Sequence, residues 1–381
     1  MKKKGYFLFL ALILVIIPAF LLLGAGKKEG AAPEKGKPTL SIICFQGYAE
    51  PSWVKPFEEA NNCTVKVTYA GTVEEHFTKV KAAPEEYNIV SIDSGRVQMY
   101  YDAGLIQPID TGRLKNYTKI GKFFREHPYA NIGGKTYHVP IVWGTQTITI
   151  NMEKIDKNKI SKYISADGKT VSLDVLIAPE FKGLTAFFDE STNVVSIAAI
   201  HVGIKDPFHF ESEDDWNKVF NRLLEWKRNA RTFTTGLDSE FGVLTAEDAY
   251  ILLGGNDALL NLRLEEAGVR SKFKQFPMTE GTICWIDGWV ITKPTKGASY
   301  DLALKYMDYM IGDEGQEQLA NLVGFGIVNP AGASGFNPVV LDSAWWYGKD
   351  ISEFPAPLYI MVAEEDPGRR VELWNKVKAT P

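Results

Sequence analysis

From Thr39 to Leu105 three strand-like runs alternate with three helix-like ones at short spacing, and this alternation constrains the fold more than any other feature of the chain. "TLSIICF" (39–45), "CTVKVTYA" (63–70) and "YNIVSID" (87–93) are apolar, strand-forming runs. "EPSWVKPFEEA", "TVEEHFTKVKAA" and "GRVQMYYDAGL" read as the helices between and after them. The pattern predicts an α/β fold, a parallel sheet with helices on its faces. Ligands of such sheets bind beyond the carboxyl ends of the strands. That puts the loops "QGYAE" (46–50), "AGTVEE" (70–75) and "IDSGR" (92–96) along one rim, and with them Tyr48, Glu50, Asp93, Ser94 and Arg96.

Further on, "KTYHVPIVWGTQTITINMEKI" (135–155) holds two extended runs around Trp143 and Gly144, after which the chain enters a different region. There "LTAFFDE" reads as a strand and "TNVVSIAAIHVG" as a helix. "SEDDWNKVFNRLLEWKRNA" is an amphipathic helix that opens on Ser212 with acids in its first turn. "TAEDAYILLGG" and "NDALLNLRLEEAG" read as short helices, and "SYDLALKYMDYMIGDEGQEQLANLVGF" as two more. The organisation expected is two lobes with a cleft between them. Residues 39–145 with 280–381 form the first lobe and 146–279 the second, the chain crossing near 145–151 and returning near 273–285.

The strand "EGTICWIDGWVITKP" (280–294) carries an odd passenger. Alternation along a strand puts Trp285, Asp287 and Trp289 on one side. A lone carboxylate between two indoles is costly to bury unpaired. Read alone, the two tryptophans fit core aromatics better, and Asp287 a carboxylate paired to a helix end.

Composition narrows the class. With 45% hydrophobic and 23% charged residues and a formal charge of −5, the chain is ordinary globular material without a basic stripe, so a nucleic-acid partner is not expected. Lys2, Lys3 and Lys4 before the apolar run Tyr6–Ala25 read as an export signal over residues 1–26, with an uncleaved anchor as the alternative. Residues 27–38 read as a flexible tether. Cys44, Cys63 and Cys284 are expected to be buried free thiols, with a Cys44–Cys63 bond as the alternative. The five histidines lack metal spacing, no GxSxG elbow occurs, and "GGKT" (133–136) has Tyr129 where a phosphate loop needs Gly. No catalytic residue, cofactor or metal is expected.

Several stretches together resemble the spermidine/putrescine-binding proteins, the periplasmic binding components of polyamine ABC importers. "YNIVSIDSGRVQMYYDAGLIQPID" (87–110) is similar to their third strand and following helix, and "VPIVWGTQTITIN" (139–151) to their crossover. "PEFKG" (179–183), "ICWIDGWVI" and "VGFGIVNP" (323–330), with Phe325, resemble a turn, the late strand and a late Gly-aromatic loop. The likeness covers most of residues 40–330. "GYAE", "CTVKVTYAGTVEE" and "VGIKDPF" are most similar to a branch assigned putrescine or γ-aminobutyrate. The resemblance implies a two-lobed periplasmic-binding-protein fold, each lobe a mostly parallel sheet with helices on both faces, joined by hinge crossovers.

It also implies that Trp285 and Asp287 hold an amine of the ligand. The family's two second-lobe acids fall on Glu190 and Asn193, a ligand-facing Trp falls near Gly255 beside Asn256, and a rim Tyr and Ser align with Gly95 and Asp93. Tyr48, Glu50, Asp93, Ser94, Trp143, Glu190, Asn193, Asn256 and Phe325 are the remaining candidate contacts, and Asp189 with Glu190 is expected to serve the far amine. The implied function is extracytoplasmic capture of spermidine or putrescine by a monomer and delivery to an ABC permease and its ATPase. Membrane contact is expected only through the N-terminal segment. The alternative is γ-aminobutyrate or another amino-acid-like amine, which would want an Arg or backbone amides at one end. An iron or sugar binder ranks below both.

Overall fold

The structure, a computed structural model, describes residues 36–254, 257–335, 337, 338, 349 and 351–381. The basic and apolar N-terminal run, residues 27–35 of the tether, and Asn256 lie outside the described residues. Strands β1 (Thr39–Cys44), β2 (Thr64–Tyr69) and β3 (Ile89–Asp93) alternate with helices α1 (Pro51–Asn61) and α2 (Val73–Ala82). β1 lies between the other two and runs parallel to both. Pro51 opens α1 where its missing N–H costs nothing, and the helix buries Trp53, Val54 and Phe57. The Thr72 hydroxyl caps α2 by accepting from the Glu75 amide.

After α3 (Val97–Asp102), β4 (Ile106–Gln107), α4 (Lys122–Arg125) and the small hairpin β5 (Asn131–Ile132) and β6 (Lys135–Thr136), β7 (Val139–Thr145) leads directly into β8 (Thr147–Asn151). β7 belongs to the first sheet and β8 to the second. The second sheet then takes β9 (Thr185–Phe188), β10 (Ala230–Thr234), β11 (Ile251–Gly254) and β12 (Phe273–Phe276). Its helices are α5 (Lys157–Ile160), α6 (Ser191–His201), α7 (Glu213–Asn229), α8 (Leu237–Thr245) and α9 (Asp257–Glu266). The return brings β13 (Thr282–Thr292), α10 (Gly297–Met310), α11 (Asp313–Val323), β14 (Gly326–Ile327), β15 (Leu358–Ile360) and α12 (Pro367–Ala379).

The first sheet has the order β14-β7-β13-β3-β1-β2, with β4 and β15 also on β13; the second has the order β10-β9-β11-β8-β12. Both are mixed in direction, where a mostly parallel sheet was expected in each lobe, because the strands of the lobe crossings enter antiparallel. The strands that pass between lobes run against most of their neighbours, β13 antiparallel to β3, β4 and β7 though parallel to β15, and β8 antiparallel to β11 and β12. β7 carries a bulge opposite the step from Asp287 to Gly288, where Ile141 has no register partner on β13.

Two further expectations are corrected. "TAEDAYILLGG" is not one helix: α8 ends at Thr245, and Ile251–Gly254 is the central strand of the second sheet, buried at every position. A four-residue apolar run buried on both faces has no periodicity by which to tell strand from helix. The end of the chain also does not stay with the first lobe. α12 packs on α6 and α7 and puts Leu373, Trp374 and Val377 into the second lobe's core. The cause is α6, whose residues Val194–Ile200 are all buried. A helix apolar on every side must be covered on every side, and α7 alone cannot do it. The three cysteines are buried and free.

Trp374→Ala is therefore expected to destabilise the protein by roughly 3–5 kcal/mol, measured by denaturant unfolding. A loss below about 1 kcal/mol would mean that α12 is not part of that core.

Candidate functional site

The antiparallel register of β13 on β3 sets Asp287 directly opposite Asp93. Cross-strand partners stand with Cβ atoms about 5 Å apart, so two carboxylates share one place at the carboxyl end of the sheet. Each has a protein donor. The Tyr48 hydroxyl donates to Asp287 Oδ2 at 2.6 Å, and the Gly95 amide donates to Asp93 Oδ1 at 2.9 Å. Arg96 Nε lies 3.7 Å from Asp93 Oδ2. Burial pushes the Asp287 carboxyl up to about 7, with the Tyr48 hydrogen bond opposing the rise and the Asp93 charge adding to it. Burial also pushes Asp93 up to about 6, against the lowering effect of Arg96 and the Gly95 amide. The pair thus sits where a cation would relieve both groups.

Tyr48 is held by a relay of aromatic side chains. Trp53 Nε1 donates to the Tyr306 hydroxyl at 3.1 Å, and that hydroxyl donates to the Tyr48 carbonyl at 3.0 Å. Trp289 stands behind, edge-on to both Tyr48 and Tyr306. It is fully buried and lies in the core, so of the two tryptophans only Trp285 lines the cleft. Its indole lies over Gly144, its partner on β7, where a Cβ would stand 2.1 Å from Trp285 Cζ2. Phe325 meets the indole edge-on at 4.7 Å between ring centroids.

The opposite wall is the start of α6. Glu190 caps that helix, accepting from the Thr192 amide at 3.0 Å and the Asn193 amide at 2.7 Å. Thr192 and Asn193 line the cleft, and the Asn193 side-chain carbonyl is buried without a hydrogen-bond partner. The space between the walls is about 550 Å³, within the range of small-molecule sites. Its lining carries four carboxylates, Glu74, Asp93, Glu190 and Asp287, and one guanidinium, Arg96. A lining with three more acids than bases favours a cationic ligand.

The structure thus brings together Tyr48, Asp93, Glu190, Asn193, Trp285, Asp287 and Phe325. It does not bring Glu50, Ser94, Trp143 or Asp189 to the lining. Glu50 folds back on its own loop, accepting from the Gly47 amide at 2.8 Å, because the left-handed turn at Gly47 points that amide inward. Ser94 is buried in the turn after β3, away from the lining. Trp143 is a core residue whose Nε1 donates to the Ile327 carbonyl at 3.0 Å, with Phe124 beside it. Asp189 is neutralised by Lys378 of α12 at 2.8 Å and accepts from Trp374 Nε1 at 2.6 Å, so it is not a counter-ion for a ligand. Sequence reading missed Phe45, Gln46, Val73, Glu74, Thr192 and Met361 as lining residues. Gln46, Val73 and Glu74 were legible from the rim loops, whereas Met361 carries no local signal. Among the described residues no group of three or more His, Cys, Asp or Glu side chains could hold a metal ion.

Comparison with known proteins gives the family and the fold. The family model described as bacterial extracellular solute-binding protein matches residues 52–341. A putrescine/agmatine-binding protein of Pseudomonas aeruginosa is 25% identical over 295 residues, covering 75% of this chain and 77% of the relative. A putrescine/cadaverine-binding protein of the same organism is 24% identical over 327 residues, covering 84% and 88%. Among solved structures, the spermidine/putrescine ABC transporter substrate-binding protein of Streptococcus pneumoniae superposes with a TM-score of 0.73 at 18% identity, over 90% of this chain and 99% of that one. At that identity the likeness establishes the two-lobed fold.

The two raised carboxyls make a signed prediction. Both lie above the ordinary Asp value of about 3.9, so the folded protein binds more protons than the unfolded chain between about pH 4 and 7. The stability they contribute is therefore lost as pH rises through that window. His127 and His138, buried and pushed down to about 4 and about 3, act in the opposite sense, so the test is a difference. Denaturant unfolding of ligand-free protein should show Asp287→Asn gaining on the wild type, on the order of 1 kcal/mol or more, from about pH 5 to pH 7.5. A difference independent of pH would contradict the burial of this carboxyl.

Proposed function

Since this chain belongs to the bacterial extracellular solute-binding proteins, we propose that its solute is a small polyamine, putrescine or spermidine, taken up in the interlobe cleft and passed to the permease of an ATP-driven importer. The observation that carries the reading is the Asp287–Asp93 pair in a cleft that Trp285 also lines. One ammonium lies against Asp287, with the Tyr48 hydroxyl fixing the carboxylate and the indole offering its face. The far amine meets Glu190, which keeps lone pairs beyond its two capping bonds, and the unpartnered Asn193 carbonyl. The lobes close by hinge motion at the strand crossings. The names of the relatives support the ligand class. One observation favours a second reading: Arg96 lines the cleft, and a guanidinium there suits the carboxylate of γ-aminobutyrate. Its engagement with Asp93 and Glu364 places that reading behind the diamine.

Calorimetry with putrescine, spermidine and γ-aminobutyrate tests the assignment. The polyamines are expected to bind the wild type, and Asp287→Asn to lose about a hundredfold in affinity, as when one member of a buried charge pair is removed. Tight binding of γ-aminobutyrate alone would favour the second reading, and amine binding untouched by Asp287→Asn would sink the first.

A cation also expels protons from the two raised carboxyls. Polyamine affinity is accordingly expected to rise from about pH 5.5 to pH 7.5, and the binding heat near pH 6.5 to vary with the ionisation enthalpy of the buffer. Buffer-independent heats would place the ammonium elsewhere.

A further inference from the structure

The turn that closes β3 touches the connector that carries the chain from β15 into the second lobe. A Cβ at Gly95 would stand 2.7 Å from the Val362 Cα, so backbone meets backbone there and only glycine fits. From this turn Arg96 reaches two ways, with Nε 3.7 Å from Asp93 Oδ2 and Nη2 3.9 Å from Glu364 Oε2. Both separations are ion pairs too long to be hydrogen bonds. One guanidinium is thus shared between a carboxylate of the first-lobe site and a carboxylate whose side chain is only 4% exposed.

Glu364 lies on a segment anchored to the second lobe. The next residue, Glu365, donates its amide to the Phe208 carbonyl at 3.1 Å, and Arg370 Nη2 donates to the same carbonyl at 2.8 Å. Val362, two residues earlier, packs in the second core. Arg96 therefore bridges the lobes beside the cation site, although it belongs to neither wall's hydrogen-bond network.

We propose that Arg96 is a positioning residue that couples occupancy of the cation site to the seating of the second lobe. An ammonium at Asp287 and Asp93 takes over as counter-ion of Asp93, and Arg96 closes onto Glu364. Asp93 and Glu364 share one guanidinium without ligand; a second cation leaves each buried carboxylate its own partner, which is the arrangement that buried charges require. The inference rests on the reading of the cleft as an amine site.

A double-mutant cycle on the full chain tests it, with putrescine titrated by calorimetry and lobe closure followed as the fall in radius of gyration by small-angle X-ray scattering. Glu364→Gln is expected to weaken putrescine about tenfold in the wild-type background and to reduce the ligand-induced compaction. In the Arg96→Gln background the same change is expected to alter affinity by less than about twofold. Equal losses in both backgrounds would show Glu364 acting only through its general field and overturn the coupling, as would no loss in either. Should Glu364→Gln not fold, Glu364→Asp keeps the charge and withdraws it, and its smaller loss should again vanish with Arg96→Gln; a loss that persists there overturns the coupling. A wild type that binds neither putrescine nor spermidine overturns the amine reading, and this inference with it, and is thereby distinct from a failure of the coupling alone.

Discussion

The antiparallel pairing of β13 with β3 is the constraint on which the cleft depends, because it places Asp287 across from Asp93 at the end of a buried sheet. Like charges directly opposite on a sheet are destabilising. The fold offsets part of that cost with two local donors, the Tyr48 hydroxyl and the Gly95 amide, and with the charge of the Arg96 guanidinium. These groups oppose the burial that raises both carboxyls without cancelling it, so both remain raised. A chain selected for stability alone would have no use for such a pair. Sites that bind charge are where local rules of stability are broken.

The surroundings make this pair rigid. Tyr48 is fixed by Tyr306 and Trp53, and Trp285 lies flat because Gly144 presents no side chain beneath it. The opposite wall is equally anchored, although by distant chain. α6 presents Glu190, Thr192 and Asn193 to the cleft, and its buried length is covered by α7 on one side and by α12 on the other. Arg370 of α12 donates to Ser196 of α6 at 3.0 Å, and Lys378 holds Asp189 just before the cap. The last residues of the chain thus set the position of a wall built from its middle.

Sequence patterning made the opening of the first lobe, from β1 to α3, legible element by element. β1, β2 and β3 start within two residues of the runs that predicted them, since alternating strands and helices joined by short loops leave few other topologies. The late strand was read with its alternation, and Asp287 was picked out as a carboxylate that needs a reason. Glu50, Trp143 and Asp189 show the limit of that reading. Each is a polar or aromatic residue near the right loop or strand, and each turns to a partner within the protein, the Gly47 amide, the Ile327 carbonyl and Lys378. Two of those partners lie 184 and 189 residues away, where no local pattern reports them.

What the sequence by itself determined is the α/β class, the rim loops and the presence of one carboxylate on an indole-bearing strand, because these follow from periodicities of two and 3.6 residues within short windows. The tertiary structure alone decided that Asp93 stands opposite Asp287, that Trp289 is core while Trp285 lines the cleft, and that the final helix belongs to the second lobe. Those outcomes depend on register and on which apolar face covers which, and both are settled only by packing between segments distant in sequence.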